Sequence, residues 1–397
     1  MMRTRCYFDH NASSPLRPDA REAMAGALDL IGNASSVHAE GRAARAVIED
    51  AREQVARLCG AASAQVVFTS GGTESNVLAL APEWLSKLPG YDAGRVHLFT
   101  SAIEHASVLG GGMFPAERIS RLPVTADGVV DVDTARELLA AHAGETDGAP
   151  FMVSVMSANN ETGAIQPVAA LGEIVREAGG VLHCDAVQSF GRVRVDKNGL
   201  GADLISVSAH KFGGPKGAGA LIIARDELHN PAPVMHGGGQ ERGRRAGTEN
   251  IAAIAGFGAA AAAVAREFET GEGIGAVRPL RQRLETELRH IAPDAWIAAE
   301  NAPRLPNTTC VAVPGLHGET LVIAMDLEGI AVSAGSACSS GKVERSHVLD
   351  AMGMDNETAS GAIRISLGWN STAGEIDRFL SAWQAIYERR KLRPAAA

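Results

Sequence analysis

The chain has 397 residues, 46% of them hydrophobic and 21% charged, with a net charge of −9. That length exceeds what one core of ordinary size holds, so two domains are expected, and the acidic balance gives no footing for a nucleic-acid or anionic-membrane surface. The five cysteines are scattered and form no CxxC pair, which argues against a disulfide framework and a four-thiolate zinc site.

The first ten residues contain no apolar signal segment, and the apolar run over 251–265 falls short of the ~20 residues of a membrane span. A cytoplasmic protein with reduced thiols is expected. Residues 65–69 (QVVFT) read as a strand, and Gly71 and Gly72 turn it into a helix over 73–80. The backbone N–H groups of such a turn, the helix N-terminus and the Thr73 hydroxyl can hold a phosphate, although many αβ turns share this composition. A second strand over 96–100 leads to His105, which could stack on a ring and relay protons, or only cap a helix. A helix over 131–141 with Asp131 or Asp133 as N-cap follows, then a strand over 151–155. Beyond that strand lies Asn160, able to donate to a substrate carboxylate.

A helix over 171–178 precedes a strand over 181–185 that ends in Asp185. A carboxylate there could keep a pyridine nitrogen protonated, or cap the next helix. Gln188 is three residues on and could bond a ring hydroxyl. His183, Cys184 and Asp185 alternate faces along the strand, so no shared metal ion is expected. The strand over 204–208 runs into Ser208-Ala209-His210-Lys211 and a Gly/Pro-rich turn. A desolvated lysine at that point is a nucleophile for Schiff-base formation; the other reading is a solvated loop lysine. Ser208 and His210 could complete a phosphate cup. A strand over 219–224 closes this part, and strands alternating with helices predict a largely parallel sheet covered on both faces.

After residue 250 the pattern changes. Helices over 251–267 and 280–290 and short strands over 308–313, 330–333 and 362–367 predict a smaller α+β domain. Arg364 is a charge inside an apolar strand and needs an anion: a substrate carboxylate or an internal salt bridge. The small polar residues around Cys338, over about 333–345, predict a mobile loop bearing a reactive thiol. The other four cysteines are expected to pack as small hydrophobes.

Taken together, DHNASSP (9–15), NASSVHAEG (33–41), FTSGGTESN (68–76), Glu104-His105, NNETG (159–163), HCDAVQS (183–189), SVSAHKFGGPKG (206–217), HGGGQERGRRAGTEN (236–250), SAGSACSS (333–340) and IRISL (363–367) cover the chain from end to end. In this it resembles the cysteine desulfurases of the NifS/IscS type, in the class V aminotransferase group of fold-type I pyridoxal-phosphate enzymes. The resemblance implies an α/β fold with a large cofactor domain (16–255). A small domain (1–15 and 256–397) would carry the cysteine loop. Lys211 would hold pyridoxal phosphate covalently, Asp185 would pair with its ring nitrogen, Gln188 with its ring oxygen, and His105 would stack on the ring. Gly72, Thr73, Ser208 and His210 would bind the phosphate, joined by Thr248 of a second subunit in a homodimer. Asn160 and Arg364 would hold the carboxylate of L-cysteine. Cys338 would take the sulfur as a persulfide for an acceptor or scaffold protein, in iron-sulfur cluster or other sulfur-cofactor synthesis. The chain stops soon after its last helix, which favours the NifS-like side of the group. A selenocysteine lyase or another class V enzyme is the alternative; a non-catalytic scaffold would need neither Cys338 nor Arg364.

Overall fold

The computed structural model describes residues 5–228, 233–334 and 345–391. Its strands are β1 (Cys6–Tyr7), β2 (Val66–Thr69), β3 (His97–Ser101), β4 (Ile119–Leu122), β5 (Phe151–Ser154), β6 (Val181–Asp185), β7 (Leu204–Ser208), β8 (Gly219–Ile223), β9 (Trp296–Ile297), β10 (Thr308–Ala312), β11 (Ile330–Ala331), β12 (Ser333–Ala334) and β13 (Ile363–Ser366). A seven-stranded sheet has the order β2-β8-β7-β6-β5-β3-β4. Its pairs are parallel except around β8, which runs antiparallel to both β2 and β7. The expected α/β class therefore holds, with one reversed strand.

Alternate residues of these strands feed two apolar layers, as the two-residue period of a strand requires. Phe68, Val153, Leu182, Ile205 and Ile222 join one, while Val67, Met152, Val181, Leu204 and Leu221 join the other. The first layer is covered by α5 (Val132–Glu145) and α6 (Val168–Glu177), with the short α7 (Lys197–Leu200) beside α6, and by a group of three, α2 (Ala39–Leu58) and α8 (Ile251–Thr270) with α1 (Pro18–Leu28) packed against α8. A Cβ on Gly258 would come within 2.5 Å of the Ala51 Cα, and one on Gly256 within 2.6 Å of Met24 Cγ. Small residues on α8 thus set how closely the three helices approach. Among the described residues α8 is the one helix apolar and long enough to cross a membrane, and ten of its residues are buried in the protein.

Two buried ion pairs fix these helices. Arg17 at the start of α1 holds Glu267 of α8 and donates from Nε to the Phe212 carbonyl at 2.7 Å. Arg52 of α2 grips both oxygens of Glu241 at 2.7 and 2.8 Å, and Glu241 also accepts from the Phe68 N–H at 2.8 Å.

The second packing group contains Leu284, Leu288, Val311, Ile363, Ile365, Phe379 and Trp383, and takes in Cys6 and Phe8 from the N-terminus. Its four-stranded sheet has the order β12-β13-β10-β9, while β1 pairs in parallel with β11. The run over 330–333, expected as one strand, is two: β11 goes to β1 and β12 to β13. The expected domain limit between 255 and 256 lies within α8, whose buried face runs from Ala253 to Val264 in the large core.

Candidate active site

Parallel strands end together, and the carboxyl ends of β6 and β7 open on a cavity of about 220 Å³. Its lining includes Gly72, Thr73, His105, Asn160, Asp185, Gln188, Ser208, His210 and Lys211. Residues drawn from five separate stretches of sequence therefore face one space. Thr248 does not line it; it is exposed on the loop before α8. Cys338 lies outside the described residues.

One end of the cavity is rich in donors. Helix α3 (Gly72–Ala79) begins there, with Thr73 in its first turn. A Cβ on Gly72 would stand 2.8 Å from Val187 Cγ2, so only glycine lets this helix start so near β6. The Ser208 hydroxyl is buried and has no partner among the described residues. A buried hydroxyl left unpaired is costly, and an anion at the helix N-terminus would satisfy it. His210 contacts Ser13 Oγ at 3.3 Å, and burial, then the charges of Lys211, Arg192 and Lys216, push its pKa down to about 4. It is a neutral imidazole at pH 7.

The other end carries the carboxylate. Asp185 Oδ1 accepts from the Val187 N–H at 2.9 Å and Oδ2 from Asn76 Nδ2 at 2.8 Å. His105 caps the short helix α4 (Ala106–Leu109): its Nδ1 accepts from the Ser107 N–H at 3.1 Å and lies 2.8 Å from Ser107 Oγ. Burial lowers the His105 pKa, the Asp185 charge opposing and Lys211 and His347 assisting.

Lys211 donates from Nζ to the carbonyls of Asn11 at 2.8 Å and Ala12 at 3.1 Å. Gln188 donates to the Asn11 carbonyl at 3.0 Å and accepts from Arg192. Arg364 is paired with Asp9 at 2.7 Å and donates to the Asn160 carbonyl at 3.1 Å, while its buried Nε has no partner among the described residues. The internal salt bridge exists, with one donor still to spare. His183, by contrast, has both ring nitrogens taken by the hydroxyls of Ser154 and Ser206.

Several residues escape a reading of the sequence. Asn11 is fully buried; its Nδ2 reaches the Asn160 carbonyl and Thr308, and its Oδ1 accepts from Asn307. Asn76 and Ser107 support Asp185 and His105. Glu104 is buried, accepts from Ser101 and from the Met156 N–H, and burial pushes its pKa up to about 8. Asn11 stands within DHNASSP and Asn76 within FTSGGTESN, so those motifs were the available signal.

A hydroxyl- and amide-lined helix start, a buried, amide-held carboxylate and a lysine lining the same cavity fit pyridoxal phosphate. The fold and the site together define an α/β enzyme of fold type I. The family model for class-V aminotransferases matches residues 6–379, and the chain belongs to that family. A cysteine desulfurase of Cereibacter sphaeroides is 42% identical over 99% of this chain and 98% of the relative. An IscS-like cysteine desulfurase of Mycobacterium tuberculosis is 39% identical over 98% of each chain. The crystal structure of a NifS-like protein from Rickettsia africae superposes with a TM-score of 0.84 at 35% identity, covering 97% of this chain and all of that one.

Proposed function

We propose that this chain is a cysteine desulfurase that converts L-cysteine to L-alanine and passes the sulfur to an acceptor protein. The observation that carries this reading is the convergence of Lys211, Asp185, His105 and the unpaired Ser208 hydroxyl on one cavity. The full-length relatives named cysteine desulfurases point to the same reaction.

Pyridoxal phosphate, when bound, supplies an electron sink for the bonding pair released at the amino-acid Cα. Lys211 would anchor it and then take the Cα proton as base, which requires Nζ to leave the Asn11 and Ala12 carbonyls. Asp185, held by Asn76 and the Val187 N–H, would keep a proton on the ring nitrogen. Gln188 has a second amide hydrogen for the ring oxygen. Thr73, Ser208, neutral His210 and the start of α3 would bind the phosphate, and Thr248 of a second subunit would add a hydroxyl. Asn160 and the free Nε edge of Arg364 would orient the substrate carboxylate. The Cys338 thiolate would attack the substrate sulfur. The new S–S bond forms as the substrate C–S bond breaks, leaving a persulfide on Cys338 for iron-sulfur or other sulfur-cofactor synthesis. The four described cysteines are all buried and unpaired, which suits a reducing cytoplasm.

The test is release of alanine and sulfide from L-cysteine, with and without reductant. Cys338→Ser is expected to bind the cofactor and stall before alanine appears, because a hydroxyl is a far poorer nucleophile toward sulfur. Alanine release by Cys338→Ser at the rate of the parent chain would sink the mechanism in favour of a lyase.

A further inference from the structure

We propose that Asn76 and Ser107 form a hydrogen-bonded bridge between the Asp185 carboxylate and the His105 imidazole, and are positioning residues for both. This rests on the reading of the cavity as a pyridoxal-phosphate site. The bridge is continuous. Asn76 Nδ2 donates to Asp185 Oδ2 at 2.8 Å and to Ser107 Oγ at 2.9 Å. Ser107 then meets His105 Nδ1 twice, through Oγ at 2.8 Å and its backbone N–H at 3.1 Å.

The direction of each bond follows from the groups at the two ends. An ionised carboxylate only accepts, so the Asn76 NH₂ faces Asp185 and both of its hydrogens are used. Ser107 Oγ accepts one of them and has its own hydrogen to give to His105 Nδ1. With Nδ1 accepting two donors, the proton of the neutral ring is on Nε2. The charged and titratable groups acting on this imidazole are Asp185 at the end of β6, Lys211 after β7 and His347 from the helix His347–Ala351.

A second observation comes from the far side of the same amide. Asn76 is almost wholly buried, and its Oδ1 has no partner among the described residues. A residue serving only to pack α3 would avoid an orphaned buried acceptor, which is costly. The orientation that leaves Oδ1 unpaired is the one that serves Asp185 and Ser107 together. The two groups assigned to the ring nitrogen and the ring face are thereby fixed relative to each other through α3 and α4, 109 residues before Asp185 in the case of Asn76.

The experiment is a double-mutant cycle on the full chain loaded with pyridoxal phosphate. Asn76→Ala and Ser107→Ala are each expected to lower kcat about tenfold with little change in KM. Each should also shift the pH midpoint of the visible absorption of the bound cofactor. The double variant should lose about tenfold, not about a hundredfold, because either change opens the same bridge. Ser107→Thr, which keeps the hydroxyl, should behave like the parent chain. Additive losses, or an unmoved pH midpoint in both single variants, would overturn the proposal. If Asn76→Ala does not fold, Asn76→Ser takes its place in the cycle. A parent chain that takes up no pyridoxal phosphate would overturn the reading of the cavity, and the bridge with it.

Discussion

Asp185 is the residue whose charge matters most to the proposed chemistry. Asp185→Asn keeps the size of the side chain and can still accept from either the Val187 N–H or Asn76, but not from both, and it cannot hold a ring proton by charge. Cofactor binding is expected to persist while turnover falls about a hundredfold or more; near-parental turnover would reduce Asp185 to a helix cap. His183, one strand position from Cys184, reports on stability. Burial pushes its pKa down to about 3, against an ordinary value near 6.5. The unfolded chain therefore takes up the proton first. His183's contribution is complete above pH 6.5 and is lost as pH falls from there toward 3, at up to about 1.4 kcal/mol per pH unit. His183→Asn should flatten this limb in a comparison of melting temperatures at pH 7 and 5; an unchanged slope would count against it. Lys211 and Asp185 were legible in the sequence because Asp185 ends a strand and Lys211 stands in the turn just after one, where a polar residue is conspicuous. Asn76 and Asn11 were not, because their partners lie 109 and 200 residues away and the motifs that contain them give these two amides no role.

At the scale of elements, the loop that carries Thr248 is held by the buried Arg52–Glu241 pair, with Arg245 on Glu74 at 2.9 Å beside it. Glu241 sits in the left-handed region, at φ 46°, as does Arg242 at φ 57°. Such backbone persists only when its surroundings over-determine it, and the two bonds from Arg52 with the Phe68 N–H supply that constraint. Glu241→Ala would leave a buried guanidinium without its carboxylate, an expected loss of about 3–5 kcal/mol in denaturant unfolding. A change below about 1 kcal/mol would mean that Glu49, 3.2 Å from Arg52, takes over the charge. The central strands β6 and β7 matched their sequence limits because they are short, mainly apolar runs buried on both faces. The run over 330–333 has the same look but changes sheets at Val332, and only the partner strands decide that. Helix α1 gave little signal because it buries just Ala20 and Ala27, too narrow a stripe to show a period.

For the whole molecule, the expected homodimer makes a quantitative prediction. If Thr248 serves the partner's phosphate, a mixed dimer of Lys211→Ala and Thr248→Ala subunits has both lesions in one site and leaves the other intact. Equal mixing of the two impaired variants should restore about a quarter of parental activity. No recovery on mixing would return Thr248 to its own subunit. The fold class and the two packing groups were readable from the order of strands and helices, whereas the stitching of one group to the other was not. That stitching runs through Asn11, which touches Lys211 and Gln188 on one side and Thr308, Asn307 and Ser366 on the other. During synthesis the large sheet is complete on paper once residue 223 has left the ribosome, yet the segment over Lys211 is then tied on one side only, to Gln188, Arg192, His210 and Lys211 itself. Its other anchors, on Asn307, Thr308 and Ser366, arrive only with β10 and β13, and β1 finds its own partner in β11, more than three hundred residues downstream. A nascent chain interrupted before β13 would therefore have its lysine in place under a segment fastened on one side only, so the finished geometry of the cavity is deferred until β13 has been made.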